Sequence, residues 1–133
     1  MTLAFVLTSC SSQQNVSYIE GHNFYANPDV PTSHLLKITS RTDFEKNFGY
    51  APVMGKNGEP TPIDFSKQFV IAKALPETDY ATTITPVSLK KTKAGTLQFR
   101  YDVKRESQPR TYTIRPFLLI IVSNAYQSLP LEE

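Results

Sequence analysis

The sequence contains few of the residues from which catalytic and metal sites are usually built. Its 133 residues include one cysteine, two histidines and no tryptophan. A single cysteine excludes an internal disulfide and a zinc site made of several cysteines. The sequence also lacks a Gly-x-Ser-x-Gly elbow, a His-Glu-x-x-His pair and a glycine-rich phosphate loop. We therefore expect a binding protein without catalytic, cofactor or metal residues, and not an enzyme.

Weak charge and the absence of long apolar runs exclude two further classes of protein. The formal net charge is only +2, which does not favour binding to nucleic acid. The basic residues are scattered apart from two groups, Lys90, Lys91, Lys93 and Arg100, Lys104, Arg105. No segment approaches the roughly 18 apolar residues of a transmembrane helix. A chain of this length is expected to form one domain, because two separate cores would each be too small.

The first ten residues predict where the protein is located in the cell. Residues 1–9 form a short apolar run that ends in small residues, as secretory signals do. The sequence Leu7-Thr8-Ser9-Cys10 resembles the lipobox of bacterial lipoproteins, in which the signal is cut before an acylated cysteine. This resemblance implies a signal peptide over 1–9, lipidation at Cys10, a polar tether over 10–15 and a single domain over 16–133. The alternative is a buried N-terminal strand with an inert thiol.

Apolar patterns in the second half predict strands. Leu97, Phe99, Tyr101 and Val103 alternate with polar residues, and only a strand converts that spacing into one apolar and one polar face. The run 117–122 is apolar on both faces, which is typical of a central strand covered on both sides. Further strands are predicted over 16–26, 34–40, 69–75 and 81–91. Pro86 places the last of these at a sheet edge or a bulge.

One helix signal interrupts the strands. Thr42 and Glu45 have the spacing of a capping box, and Gly49 is placed to end the helix. Phe44 and Phe48 lie four residues apart on one face, so this short helix is expected to pack on the sheet through their rings. The predicted fold class is α+β, an antiparallel β meander of about five to six strands with one short helix packed on it.

The segment Tyr50–Asp64 is the predicted binding surface. Loops of this length are uncommon in compact domains and are often functional. The candidate residues are Tyr50, Val53, Met54, Lys56, Asn57, Asp64 and, outside the loop, Arg115. Asp64 has a structural alternative as an Asx cap of the turn after it. Arg115 also has a structural alternative, which is an ion pair with Asp64, Asp79 or Asp102.

Two sets of residues in the chain resemble known families. Residues 81–91, 97–104 and 111–122 resemble the PrcB-like C-terminal domain of bacterial envelope proteins associated with proteases. The runs 53–58 and 62–65 are similar to small lipoproteins of the Bacteroides type. The resemblance implies a small β-rich module that binds or stabilises an envelope protein, in a protease-associated or inhibitor-like role. It implies no active site.

Three functions remain open from the sequence. The first is binding of another envelope protein, in the periplasm or at the cell surface, through the loop or by strand addition at a sheet edge. The second is binding of a glycan or small molecule in a pocket lined by tyrosines and Arg115. The third is hydrolysis, which needs His22 or His34 within reach of a serine and an acid. We expect each histidine to be a surface residue.

Overall fold

The structure is a computed structural model that describes residues 13–133. The predicted signal peptide 1–9, the lipidation site Cys10 and residues 11–12 of the predicted tether lie outside the described residues. Strands hold 51% of the described residues and helices 8%, so the protein is mostly β. The elements are β1 (Gln14–Asn15), β2 (Tyr18–Glu20), β3 (Phe24–Ala26), β4 (Leu36–Ile38), α1 (Arg41–Asn47), β5 (Phe48–Tyr50), β6 (Gln68–Ala74), β7 (Thr78–Lys91), β8 (Leu97–Ile114), β9 (Phe117–Ser123), a 3₁₀ turn (Asn124–Tyr126) and β10 (Leu131–Glu132).

The central sheet has the strand order β2-β9-β6-β4, with every pair antiparallel. Successive side chains of a strand point to opposite faces, so β6 and β9 each supply two cores. Val70 and Ile121 face the core shared with α1 and the β3–β5 pair. Ile71 and Ile120 face the core shared with a second sheet, ordered β1-β7-β8-β10. This confirms the prediction that residues 117–122 form a strand covered on both faces.

The segment from β6 to β9 is one long hairpin folded back on itself. β6 pairs with β9, and β7 pairs with β8 beyond interruptions at Pro76 and Pro116. Leu89 and Leu97, near the turn of the hairpin, are buried in the same core as Ile120 at its base. Two packed sheets therefore arise from a single ribbon, which is why strands distant in sequence face each other.

Strand β8 is irregular where the hairpin bends. Thr78 pairs with Ile114, and Thr82 pairs with Arg105. Between these two pairs β7 advances by four residues and β8 by nine, so β8 contains five extra residues. The extra residues lie between Arg105 and Ile114, and β8 continues through them as one strand. A further register shift at Pro86 confirms the bulge expected there.

The short helix packs as predicted but begins earlier. Phe44 and Phe48 are 0% and 1% exposed, which confirms their burial. The helix ends at Asn47, so Phe48 lies in β5 and does not share a helix face with Phe44 as predicted. The N-cap is Ser40, whose side chain accepts a hydrogen bond from the backbone N–H of Asp43 at 3.1 Å. The predicted cap at Thr42 and Glu45 is therefore wrong by two residues. Ser40 has the same side-chain chemistry and lies one residue before the helix, so it takes the capping position.

Gly49 does not end the helix, and instead lies inside β5. Its partner in the β3–β5 pair is Tyr25, whose ring covers the glycine. A Cβ at Gly49 would come within 2.1 Å of the Tyr25 ring. The glycine is therefore needed for close approach of a ring, not for a helix stop.

The strand order differs from the predicted meander. Within residues 13–133, ten strands form three sheets, and β10 pairs in parallel with β8. The C-terminal segment that carries β10 is held by Lys37, whose ammonium donates to the carbonyls of Gln127 and Leu129 at 2.7 Å each. A meander was expected because neighbouring runs in the sequence look like hairpins. Instead, the fold-back of the long hairpin and the returning C-terminus set the order.

Candidate functional site

The loop between β5 and β6 carries most of the predicted binding residues and has a defined tip. Its tip closes where the N–H of Val53 donates to the carbonyl of Gly58 at 2.8 Å. Gly55 and Asn57 have positive φ angles of 101° and 61°, a region that glycine and asparagine tolerate best. A Cβ on Gly58 would lie 1.8 Å from the Val53 carbonyl oxygen, so only glycine fits there. The turn itself is closed by the N–H of Gly58, which donates to the carbonyl of Gly55 at 3.3 Å.

Hydrogen bonds fix this loop to the connection between β2 and β3. The Asn23 amide donates to the carbonyls of Asn57 and Glu59, both at 2.9 Å. Farther along, the backbone N–H of His22 donates to the Thr61 hydroxyl at 2.9 Å, and the Thr61 N–H donates to the His22 carbonyl at 3.1 Å. The loop is thus held at several points along its length, which preorganises its tip.

The tip presents apolar side chains to solvent. Met54 is 98% exposed and Val53 is 62% exposed, and Lys56 and Asn57 beside them are also exposed. We call these four residues the loop-tip surface. A single exposed apolar residue is ordinary in a soluble protein. Two in succession at the apex of a fixed turn are the kind of feature that inserts into a partner's pocket.

Tyr50 supports this loop from its start on β5. Its hydroxyl donates to the Glu45 carboxylate at 2.9 Å and accepts from the Arg41 guanidinium at 3.1 Å. Its ring lies 5.9 Å from that of Phe24 and 6.2 Å from that of Phe44. Tyr50 is therefore held in place, with 42% of its surface left open beside the loop.

Asp64 is a turn residue, which confirms the alternative prediction that it caps the turn after it. Its carboxylate accepts from the Ser66 hydroxyl at 2.6 Å and from the Ser66 backbone N–H at 3.0 Å. These two hydrogen bonds lower the pKa of the Asp64 carboxyl below its ordinary value. The side chain is engaged in closing the turn before β6, so Asp64 fixes the end of the loop.

Arg115 lies away from the loop. Arg115 lies just before the start of β9, and that start pairs with the end of β6 at Ala74. Asp64 lies before the other end of β6, which begins at Gln68. The seven residues of β6 span about 20 Å, so the two side chains lie at opposite ends of the central sheet. Arg115 forms an ion pair with Glu77 at 3.3 Å. The predicted pairing with Asp64, Asp79 or Asp102 is therefore wrong, because the partner is Glu77. The structure also does not bring Arg115 to the loop.

The two histidines are exposed on separate segments. His34 Nδ1 lies 3.0 Å from the hydroxyl of Ser33, and no carboxylate contacts this pair in the part of the chain that the structure describes. His22 lines an open groove of about 590 Å³ together with Asn23, Asn57, Glu59, Pro60, Thr61 and Pro62. Over residues 13–133, no group of three or more acidic, histidine or cysteine side chains converges as a metal site would require.

Two features of this region were not predicted from the sequence. Asn23, which anchors the loop, has a φ of 68°, and the only signal for it is the tolerance of asparagine for that conformation. Tyr25 covers Gly49 while 51% of its surface stays exposed, and this contact joins distant segments. Neither position follows from a motif.

The long hairpin offers a second open feature. β1 pairs with β7 only at Lys90 and Lys91, and β10 pairs with β8 only at Leu97 and Gln98. Within the described residues, the outer edges of both long strands are otherwise without a neighbouring strand. Arg100, Asp102 and Lys104 are exposed on β8, and charged residues of this kind protect edges from non-specific pairing.

Comparisons with protein-family models, with curated proteins and with solved structures give no match for this chain. Among the described residues, no helix combines the length and the apolar character needed to cross a membrane.

Proposed function

We propose that this chain is a lipid-anchored protein of the bacterial cell envelope that acts as a non-enzymatic binding module for another envelope protein. The observation that carries the proposal is Met54, a fully exposed apolar side chain at the tip of a hydrogen-bonded loop. A fixed loop loses little conformational entropy on association, so its buried apolar contacts contribute more of their free energy to affinity. The anchor is the acylated Cys10 that the lipobox resemblance implies.

The partner class is a protease or a protein that acts with one. The resemblance of residues 81–91, 97–104 and 111–122 to the PrcB-like domain supports this choice. A rigid loop also suits an inhibitor-like contact, because protease inhibitors bind with surfaces that change little on association. The loop-tip surface would enter the partner, and Tyr50 would hold its base.

A non-enzymatic role is supported by the arrangement of the histidines. His34 has a serine within reach but is exposed on the surface, and His22 stands on another segment. A hydrolase would need an acid to orient the histidine and a pocket to exclude water. Neither histidine has that setting in the described part of the chain.

Binding of a glycan or small molecule is the second candidate. The groove of about 590 Å³ beside the loop favours it, because His22, Asn23 and Glu59 supply polar groups along its lining. This groove replaces the pocket of tyrosines and Arg115 expected from the sequence, since Arg115 lies at the other end of the central sheet.

The experiment that tests the binding proposal is a quantitative pull-down from envelope extract. The bait is the full chain with Cys10→Ala, compared with the same bait carrying Val53→Asp and Met54→Asp. Val87→Asp serves as a control, because Val87 is also exposed but lies on β7. We expect the Cys10→Ala bait and its Val87→Asp control to enrich the same protein. The loop variant should enrich that protein about tenfold less, or even more weakly. Equal enrichment by all three baits would contradict the proposal.

If no bait enriches a protein, ligand screening with His22→Ala as the control tests the groove.

The proposed anchor has its own test. Cys10→Ala should move the protein from the membrane pellet to the soluble fraction, because the acyl chains are the anchor in this proposal. The measurement is the distribution of the protein between the two fractions. A variant that stays in the pellet would count against the lipobox.

A further inference from the structure

The N-terminal segment enters the fold beside a group of lysines. Gln14 pairs with Lys91, and Asn15 pairs with Lys90, at the end of β7. The turn that follows carries Lys93. We call Lys90, Lys91 and Lys93 the lysine turn. The register of β1 therefore fixes the tether and three positive charges at the same end of the molecule.

The tether is short enough to bring these charges to a bilayer. Cys10 and Gln14 are four residues apart, and four extended residues span at most about 14 Å. An acylated Cys10 lies at the membrane surface, so the lysine turn would be within reach of the lipid headgroups. Resting on the proposed lipid anchor, we propose that the lysine turn binds anionic lipid headgroups and orients the domain on the membrane.

The electrostatics of the turn support contact with anions. In the part of the chain that the structure describes, none of the three lysines takes part in an ion pair. Glu132 is an acid beside the turn, and its carboxylate accepts from Thr96 at 3.2 Å and from Gln98 at 3.1 Å. The next acid, Glu133, is paired with Lys73. The three lysines and Glu132 together leave an excess of positive charge. Near an anionic membrane each lysine contributes about 1 kcal/mol, or roughly fivefold in affinity.

The geometry of the turn favours headgroups over insertion into the acyl region. Thr92 and Thr96 close the turn through a backbone hydrogen bond of 2.9 Å, and Gly95 provides the positive φ of 87°. Residues 92–96 contain no large apolar side chain. Because Lys90 and Lys91 point to opposite faces of the ribbon, an approach with the turn foremost lets both reach the surface.

This orientation has a consequence for partner binding. The lysine turn belongs to the sheet packed on one face of the central sheet, and the loop-tip surface is attached to the β3–β5 pair on the other face. Contact between the lysine turn and the membrane would therefore leave Met54 on the side directed away from it. A tethered module would then present its binding loop to partners in the aqueous space.

The test is vesicle flotation with the full chain carrying Cys10→Ala, so that no acyl group contributes. Vesicles of phosphatidylcholine alone are compared with vesicles that contain about 30% phosphatidylglycerol, at low and at high salt. We expect binding to the anionic vesicles only, and its loss at high salt. Lys90→Gln, Lys91→Gln and Lys93→Gln together should weaken it by about 100-fold.

Matched variants separate a local site from general charge. Lys46→Gln, Lys67→Gln and Lys104→Gln remove the same charge elsewhere and should weaken binding by less than about threefold. Replacing the three turn lysines with arginine should preserve binding, and circular dichroism checks that each variant is folded. Equal losses from both glutamine triples, no preference for anionic vesicles, or loss with arginine would each overturn the inference. Because these chains are not acylated, the result is independent of the pellet test for Cys10.

Discussion

At the scale of single residues, Phe44 shows what spacing predicts and what it leaves out. The spacing to Phe48 predicts its burial, although Phe48 itself lies in β5 and not on the helix. Its other neighbours do not follow from spacing. The Phe24 ring lies 5.3 Å away in an edge-on arrangement, and the Phe65 ring lies 6.0 Å away. These rings come from distant segments, so only the folded chain brings them together.

Phe44→Ala should destabilise the protein by about 3–5 kcal/mol, because the ring is completely buried and its loss leaves a cavity. The measurement is the free energy of unfolding by chemical denaturation. Met54→Ala is the control and should change it by less than about 0.5 kcal/mol, since that side chain is exposed. A loss below about 1 kcal/mol for Phe44→Ala would contradict the docking of α1 on the sheet.

Tyr101 gives a prediction for alkaline pH. Burial, followed by the hydrogen bond that its hydroxyl donates to Glu133, raises the pKa of Tyr101 from 10.0 to about 12. The unfolded chain ionises this tyrosine first, so its contribution to stability is complete below about pH 10 and is lost as the pH rises to about 12.

Unfolding free energies measured across that pH range should therefore fall more steeply for the wild type than for Tyr101→Phe. The difference between the two proteins isolates Tyr101 from the other tyrosines. Identical pH dependence in both would show that the Tyr101 hydroxyl is not held as the structure describes.

At the scale of elements, patterns of period two predicted the strands well. The double-sided run of β9 and the buried start of β8 lie where the sequence places them, because alternation reports burial directly. The alternation continues to Val103, but that residue is 46% exposed, since β8 there runs past the core. The order of strands could not be predicted, because it depends on the fold-back of a hairpin whose halves are separated by the bend at Pro76 and Pro116.

The helix start can be tested by comparing two hydroxyl residues. Ser40→Ala should destabilise the protein by about 1 kcal/mol, because the cap of α1 is lost. Thr42→Ala, at the position that the sequence favoured, should cost less than about 0.5 kcal/mol. Chemical denaturation measures both. A larger loss of stability for Thr42→Ala than for Ser40→Ala would contradict Ser40 as the N-cap and favour Thr42.

At the scale of the whole molecule, the sequence located the loop but not every member of its surface. Length, prolines and glycines predicted a loop over 50–64, and its tip is exposed as a binding surface requires. Arg115 was grouped with it only by residue type, and the antiparallel pairing of β6 with β9 places it at the far end of the sheet. The anchoring role of Asn23 depends on a contact between segments and has no signature in the sequence.

The measurement that tests the central claim most directly is photocrosslinking in intact cells. A photoreactive phenylalanine analogue replaces Met54 in the full chain, and the same analogue replaces Val87 in a control. We expect one discrete crosslinked protein at Met54, absent at Val87, and lost when Gly58→Ala distorts the turn beneath the tip. No crosslink at Met54, or the same products at both positions, would contradict a partner-binding role for the loop.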